Sequence, residues 1–173
     1  MHKSSLFFIF FLLLTFQFSF GQKKTVTGVF TSENIQIDGN LDELAWKQAP
    51  IATDFYMIEP DNGAKAPENK KTEVKVLYKN DAIYIAAKLY DENPTAILKE
   101  ISLRDAFGTA DHFGIYINGF NDGQQDFRFF VSASGVQIDC MSTEGFDDYG
   151  WDGIWDSEVQ ITNNGWTVER KIP

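Results

Sequence analysis

The sequence predicts an all-β chain, an antiparallel β-sandwich of jelly-roll-like layout. Three observations carry that prediction. Short stretches of alternating apolar and polar residues recur along the chain, as half-buried strands require. They are separated by Asn, Asp, Gly and Ser, the residues that tight turns favour. Leu41 to Gln48 alone has helical character, and it amounts to a single short turn. Repeated short strands with these spacings fold as two stacked antiparallel sheets.

The elements follow in order. Thr72 to Lys79 alternates, with Val74, Val76 and Tyr78 pointing one way and Glu73, Lys75 and Lys79 the other. Asn80-Asp81 is a turn pair, and Ala82 to Tyr90 returns as the partner strand of a hairpin. Asp111 to Asn118 puts Phe113, Ile115 and Ile117 on one face, and Asp126 to Ser132 does the same with Phe127, Phe129 and Val131. Gly119 to Gln125 is the loop between them. Val136, Ile138 and Cys140 follow a turn at Ser134-Gly135. Val159 and Ile161 lead through Asn163-Asn164-Gly165 into Trp166, Val168 and Arg170, a second hairpin signal. Glu59 to Lys71, polar and holding two Pro, reads as a long surface loop. Trp46, behind a helical turn capped by Asp42, and Trp166, on an alternating strand, read as core. Thr167 to Pro173 stops in mid-strand. An edge left open this way invites pairing with other chains, so further C-terminal strands are expected to close the sandwich.

The N-terminus has a different character. Met1-His2-Lys3-Ser4-Ser5 is short and basic, Leu6 to Phe20 is almost wholly apolar, and Ser19-Phe20-Gly21 places small residues before a cleavage point at Gln22. This is the tripartite layout of a signal peptide over residues 1–21, ahead of a domain at 22–173. At about 15 residues the apolar run is short of the roughly 20 that span a bilayer. The expected location is therefore outside the cytoplasm: periplasm, outer membrane or extracellular space. Lys+Arg number 15 against 25 Asp+Glu, a net charge of −10 over 173 residues, which excludes a general nucleic-acid binder. One Cys and two His exclude an internal disulfide framework and a Cys/His zinc cluster. Cys140 reads as a small buried residue.

Two surfaces are candidates for function. On the strand from Asp111, residues His112, Gly114, Tyr116 and Asn118 share the face opposite the apolar one; on the next strand Arg128, Phe130 and Ser132 do likewise. If these strands pair, His112, Tyr116, Arg128 and Phe130 form an aromatic platform with a charged donor, and Gly114 leaves room for a ring. Such a surface suits a sugar, whose apolar C–H face stacks on aromatics while polar groups take its hydroxyls. The alternative is a solvated sheet face, or one covered by later strands. The second candidate is Asp139 to Glu158, where acidic residues alternate with Phe146, Tyr149, Trp151 and Trp155. It could chelate calcium or stack on sugar through Trp151, or be a solvated acidic loop with Trp155 anchored in the core. Glycoside hydrolysis needs two carboxylates across a cleft, and nothing singles out a pair. Neither a nucleophile elbow nor a Gly-rich phosphate loop is present, so the chain reads as non-catalytic.

The order of features resembles one family. Ile37-Asp38-Gly39-Asn40-Leu41-Asp42-Glu43-Leu44-Ala45-Trp46 looks like the opening of family nine carbohydrate-binding modules. Val74 to Tyr78 with Ala82 to Ala86, Asp111 to Ile117, and Phe127-Arg128-Phe129 resemble their next strands. Gly165-Trp166-Thr167-Val168-Glu169 with Ile172-Pro173 resembles a late motif of the same modules. The resemblance implies a β-sandwich that binds the ends of polysaccharides or oligosaccharides. It implies carbohydrate catabolism in the company of glycoside hydrolases acting on O-glycosyl compounds. In an exported subgroup the module precedes a region thought to form an outer-membrane barrel, which would make the downstream chain a partner. In the family the sugar sits between two Trp, with an Arg and an acidic residue on its hydroxyls. The Arg matches Arg128, the acidic position falls at Gly114, Phe107 stands near the first Trp, and the second Trp would lie beyond Pro173. Structural calcium is implied near Asp91 and Asp111. Three functional readings follow: an exported sugar-binding module, a structural or docking domain of a cell-envelope protein that has lost sugar binding, and a hydrolase domain.

Overall fold

The computed structural model describes residues 24–173. The segment read as a signal peptide lies outside the described residues. Strands β1 (Val29–Phe30), β2 (Thr72–Tyr78), β3 (Ile83–Tyr90), β8 (Asp156–Thr162) and β9 (Gly165–Ile172) form one sheet in the order β1-β2-β3-β9-β8. Strands β4 (His112–Ile117), β5 (Gln125–Ser132), β6 (Gln137–Thr143) and β7 (Phe146–Asp148) form the other, in sequence order. β1 runs parallel to β2, and the remaining pairs are antiparallel. A five-residue helix, α1 (Leu44–Gln48), completes the regular structure with two 3-10 turns at Glu68–Lys70 and Pro94–Ala96. The all-β sandwich is thus present, and both expected hairpins are there, β2–β3 and β8–β9.

The sheets stack because β2, β3 and β9 of one and β4 and β5 of the other each offer an apolar row. Val74, Ile85, Ala87, Val168 and Ile172 from the larger sheet meet Phe113, Phe129 and Val131 from the smaller one, with Trp155 and Trp166 filling between. Arg170 crosses this interior. It is fully buried, donates to the carbonyl of Phe129 at 2.7 Å and to that of Phe113, and lies over the Phe113 and Trp155 rings. Burial pulls its guanidinium down to about 9, still charged at neutral pH. Two main-chain oxygens and two π faces thus hold a charge that ties β9 to both β4 and β5.

The larger sheet is apolar on its outer face as well. Leu77, Ala82, Tyr84 and Ala86 pack there against Ile35, Ala45 and Trp46. Alternation assigned the apolar side of β2 to Val74, Val76 and Tyr78; the structure buries Leu77 on the opposite side at 1% exposure and leaves Tyr78 45% exposed. A strand covered on both faces loses the simple two-residue signature. The helix entry also differs from expectation. Asp42 does not cap α1; the first residue before the helix is Glu43, without a side-chain cap. The Ala45 N–H is instead taken by Glu33 Oε2 at 2.7 Å, and Glu43 Oε1 accepts the Gln36 N–H. One free donor of the helix start is thus satisfied from the preceding segment rather than from the adjacent residue.

Two motifs of the sequence interlock across this outer face. Glu169 is fully buried and accepts the Trp46 indole N–H at 2.7 Å, the Gly39 N–H at 2.8 Å and the Asp38 N–H at 3.1 Å. Gly39 sits at φ +82°, and a side chain there would press on the main chain of Val159 and Gln160. Thr167 Oγ1 donates to the Gly39 carbonyl. The opening motif and the late motif are therefore two halves of one seal.

Candidate functional site: the outer face of the smaller sheet

The outer face of β4–β7 is built in rows across the sheet. Tyr116 pairs with Arg128 and Arg128 with Cys140; Gly114 pairs with Phe130 and Phe130 with Ile138; Asp126 pairs with Ser142 and Ser142 with Asp147. Residues directly opposite share a face, so these side chains stand together. The apolar residues Ile138 and Cys140 belong to this outer face and not to the inter-sheet core, both fully buried beneath their neighbours. Burial pushes the Cys140 thiol up, which keeps it protonated and inert.

Above that floor stands a group of rings. Phe130 makes edge contacts with Tyr116, centroids 5.7 Å apart, and with Phe107 at 5.1 Å. Phe107 also meets His112 at 5.1 Å and Tyr149 at 6.2 Å. The expected platform of His112, Tyr116, Arg128 and Phe130 is thus assembled, and Phe107 joins it from the loop before β4. Tyr116 is 59% exposed and Phe107 38%, so the face is open to solvent. Gly114 does leave room for a ring, but that ring is Phe130. A methyl at position 114 would stand 2.5 Å from Phe130 Cε1 and closer still to Cδ1. An acidic side chain at this position, as the family pattern has, is incompatible with Phe130 where it lies.

Arg128 is tightly held. Its Nε donates to Asp126 Oδ1 at 2.6 Å, and its Nη1 reaches both oxygens of Asp147, at 2.7 and 2.8 Å. The guanidinium lies 4.9 Å from the Tyr116 ring centroid. The hydrogen bond to Asp126, helped by the field of both carboxylates, holds Arg128 above its already high ordinary value. Asp126 was the residue sequence reading missed. Its signal was the two-residue spacing from Arg128, which puts both on one face.

The loop carrying Phe107 is stitched to β6. Asp105 donates its N–H to the Gln137 carbonyl and accepts the Asp139 N–H at 3.0 Å. Arg104 donates to Gln137 and to the buried Asp139 at 2.5 Å. Asp139 also takes the Trp155 indole and the Gly153 N–H. Within Asp139 to Glu158, then, Asp139 is an interior hub, Trp155 is core as one reading expected, and Asp147 and Tyr149 reach the platform.

Trp151 does not join the site. It packs against Phe127 at 5.0 Å and Phe129 at 5.9 Å, on the inner side of β5, away from Arg128. There it lines an apolar cleft of about 780 Å³ between the sheets, with Val76, Tyr78, Ile117, Ile154 and Ile172. After a turn at Tyr149-Gly150 the chain is irregular to Trp155, so no strand period shows which way Trp151 faces.

Asp91 and Asp111 line one small polar cavity together with Lys70, Thr72 and His112. Asp91 is paired with Lys70 and accepts the Asn93 N–H at 2.8 Å. The Lys70 ammonium holds its carboxyl below the usual carboxylate range. Calcium requires about six to eight oxygens. The Lys70 ammonium already stands beside Asp91, and among the described residues no group of three or more His, Cys, Asp or Glu is placed to hold a metal. The pair does not fit a calcium cage.

Comparison with known proteins agrees with this architecture. Two solved structures of a family nine module from Caldicellulosiruptor kristjanssonii are similar to the chain, one in complex with cellotriose and one with glucose. The first has a TM-score of 0.58 at 17% identity over 86% of this chain and 67% of that one; the second has 0.56 at 17% over 84% and 68%. At that identity the likeness is one of fold. No curated protein matches the chain significantly. The model of the family described as "Carbohydrate family 9 binding domain-like" matches residues 37–173, from the opening motif through the end of the late one, and the chain belongs to that family.

Proposed function

We propose that the chain is an exported, non-catalytic sugar-binding module whose ligand surface is the outer face of β4–β7. One observation carries the reading: exposed Tyr116 stands over Arg128 and its two carboxylates, and exposed Phe107 joins the same ring cluster through Phe130, on an open sheet. Rings supply contact area at low entropic cost, and the ionic groups orient hydroxyls. Membership of the family supports the sugar class, and the cellotriose and glucose held by the similar structures name the first ligands to test. The apolar run Leu6 to Phe20 supports export, to the periplasm, outer membrane or beyond. Such a module would serve glycoside hydrolases by holding them near their substrate.

A docking domain of a cell-envelope protein is the second reading. The apolar cleft of about 780 Å³ between the sheets favours it, because a polypeptide could seat there. Calorimetry with cellotriose, glucose and xylan separates the two. Heat of binding that Tyr116→Ala and Arg128→Ala remove supports the sugar surface. Absence of binding to all three, with the protein folded, leaves only the docking role.

A further inference from the structure

We infer that Asp126 and Asp147 make this face select against acidic saccharides. The inference rests on the sugar-binding reading and adds which sugars the face rejects. Arg128 would ordinarily draw a carboxylate or sulfate, since its planar fork matches such groups bidentately. Here the fork is already engaged. Nε donates to Asp126 Oδ1 at 2.6 Å, Nη2 reaches Asp126 Oδ2 at 3.5 Å, and Nη1 lies 2.7 and 2.8 Å from the two oxygens of Asp147. The guanidinium also lies over the Tyr116 ring, 4.9 Å from its centroid.

The charge count follows from the same contacts. One guanidinium stands between two carboxylates, so the cluster carries net negative charge, in a chain whose own net charge is −10. The carboxylates are not sealed. Each side chain retains 29% exposure, against 20% for Arg128. What the face offers a ligand is therefore mainly acceptor oxygen, with aromatic surface beside it. A hydroxyl can donate to those lone pairs and turn its C–H face to Tyr116 or Phe107. The carboxylate of a uronate has no proton to give at neutral pH, where the neutral sugar has a hydroxyl. It would sit beside two like charges and compete for N–H groups already in charge-assisted bonds.

The test is a matched pair of ligands, cellotriose and the same trimer oxidised to uronic acid at C6, titrated calorimetrically into the full chain at low and at high salt. Wild type is expected to bind the neutral trimer at least about tenfold tighter, with the ratio narrowing as salt screens the carboxylates. Asp147→Asn and Asp126→Asn each remove one of the two negative charges and weaken the hold on Arg128; each is expected to narrow the ratio or reverse it. Equal affinity of wild type for the two trimers overturns the inference, as does a ratio that neither folded variant moves. Should one variant fail to fold, the other decides, and should both fail, the wild-type ratio and its salt dependence decide. Absence of binding by both trimers overturns the sugar-binding reading itself and this inference with it, whereas neutral binding without discrimination overturns this inference alone.

Discussion

The two outer faces of the sandwich are put to opposite uses. On the larger sheet, the segment from Ile35 to Ala49 lies over Leu77, Tyr84 and Ala86, and Glu169 locks it down through Trp46, Asp38 and Gly39. On the smaller sheet no segment among the described residues seals the rings, and Tyr116, Phe107 and Tyr149 keep between 38% and 59% of their area in solvent. Of the residues that give the chain its family likeness, Ile37 to Trp46, Thr167 and Glu169 build the sealed face, while Trp166, Val168 and Ile172 turn into the core between the sheets. They are recognisable because they hold the fold, and they say little about the ligand. The residues that would meet a ligand stand on the open face, where the same family pattern is departed from at Gly114. A motif match is thus a statement about architecture, and function has to be argued from the other side of the molecule.

That contrast predicts different responses to mutation. The largest belongs to the sealed face. Trp46→Ala removes a fully buried indole and leaves Glu169 Oε1 without its donor, and is expected to cost about 3–5 kcal/mol. Chemical denaturation would measure it. A loss below about 1 kcal/mol would show that the covering segment is not part of the cooperative unit.

Next comes a pH effect centred on Glu169. Burial pushes its carboxyl from 4.5 to about 7, with the neighbouring Glu43 adding to the rise, against three N–H donors that pull it down. A carboxyl raised in the folded state binds its proton more tightly folded than unfolded. The stability it contributes is complete below about 4.5 and is lost as pH climbs through about 7. Wild type is therefore expected to lose about 1–3 kcal/mol relative to Glu169→Gln across that interval. Denaturant midpoints at matched pH values test it, and parallel profiles for the two proteins would refute the assignment.

A smaller effect tests the floor of the open face. Gly114→Ala places a methyl against the Phe130 ring, which must swing away from the sheet. The expected cost is about 1–2 kcal/mol, with a rearranged aromatic cluster visible in near-ultraviolet circular dichroism. An unchanged spectrum and melting point would mean that Phe130 does not lie over Gly114 in solution.

The fold was readable because half-buried strands alternate. Phe113, Ile115 and Ile117 on β4 and Phe127, Phe129 and Val131 on β5 all turn inward or line the inter-sheet gap, and that same alternation put Tyr116 beside Arg128. Reading failed where the controlling partner is distant in the chain. Glu33, not the adjacent Asp42, serves the helix start, because the folded segment brings it there. Asp147 reaches Arg128 only through the pairing of β6 with β7, and Trp151 turns inward on a stretch with no period. Asp126 was within reach, being two residues from Arg128 on a strand already assigned.

The smallest stability change is the one that says most about function. Tyr116 is 59% exposed and touches the sheet through the Phe130 edge and the Arg128 cation. Tyr116→Ala is expected to shift stability by no more than about 0.5 kcal/mol, as for other exposed positions. Affinity for cellotriose is expected to fall about tenfold or more, since a stacking face and the backing of Arg128 go together. The opposite pattern, unchanged affinity with lost stability, would place Tyr116 among the residues that hold the sheet. The open face would then differ from the sealed one only in how much water it sees.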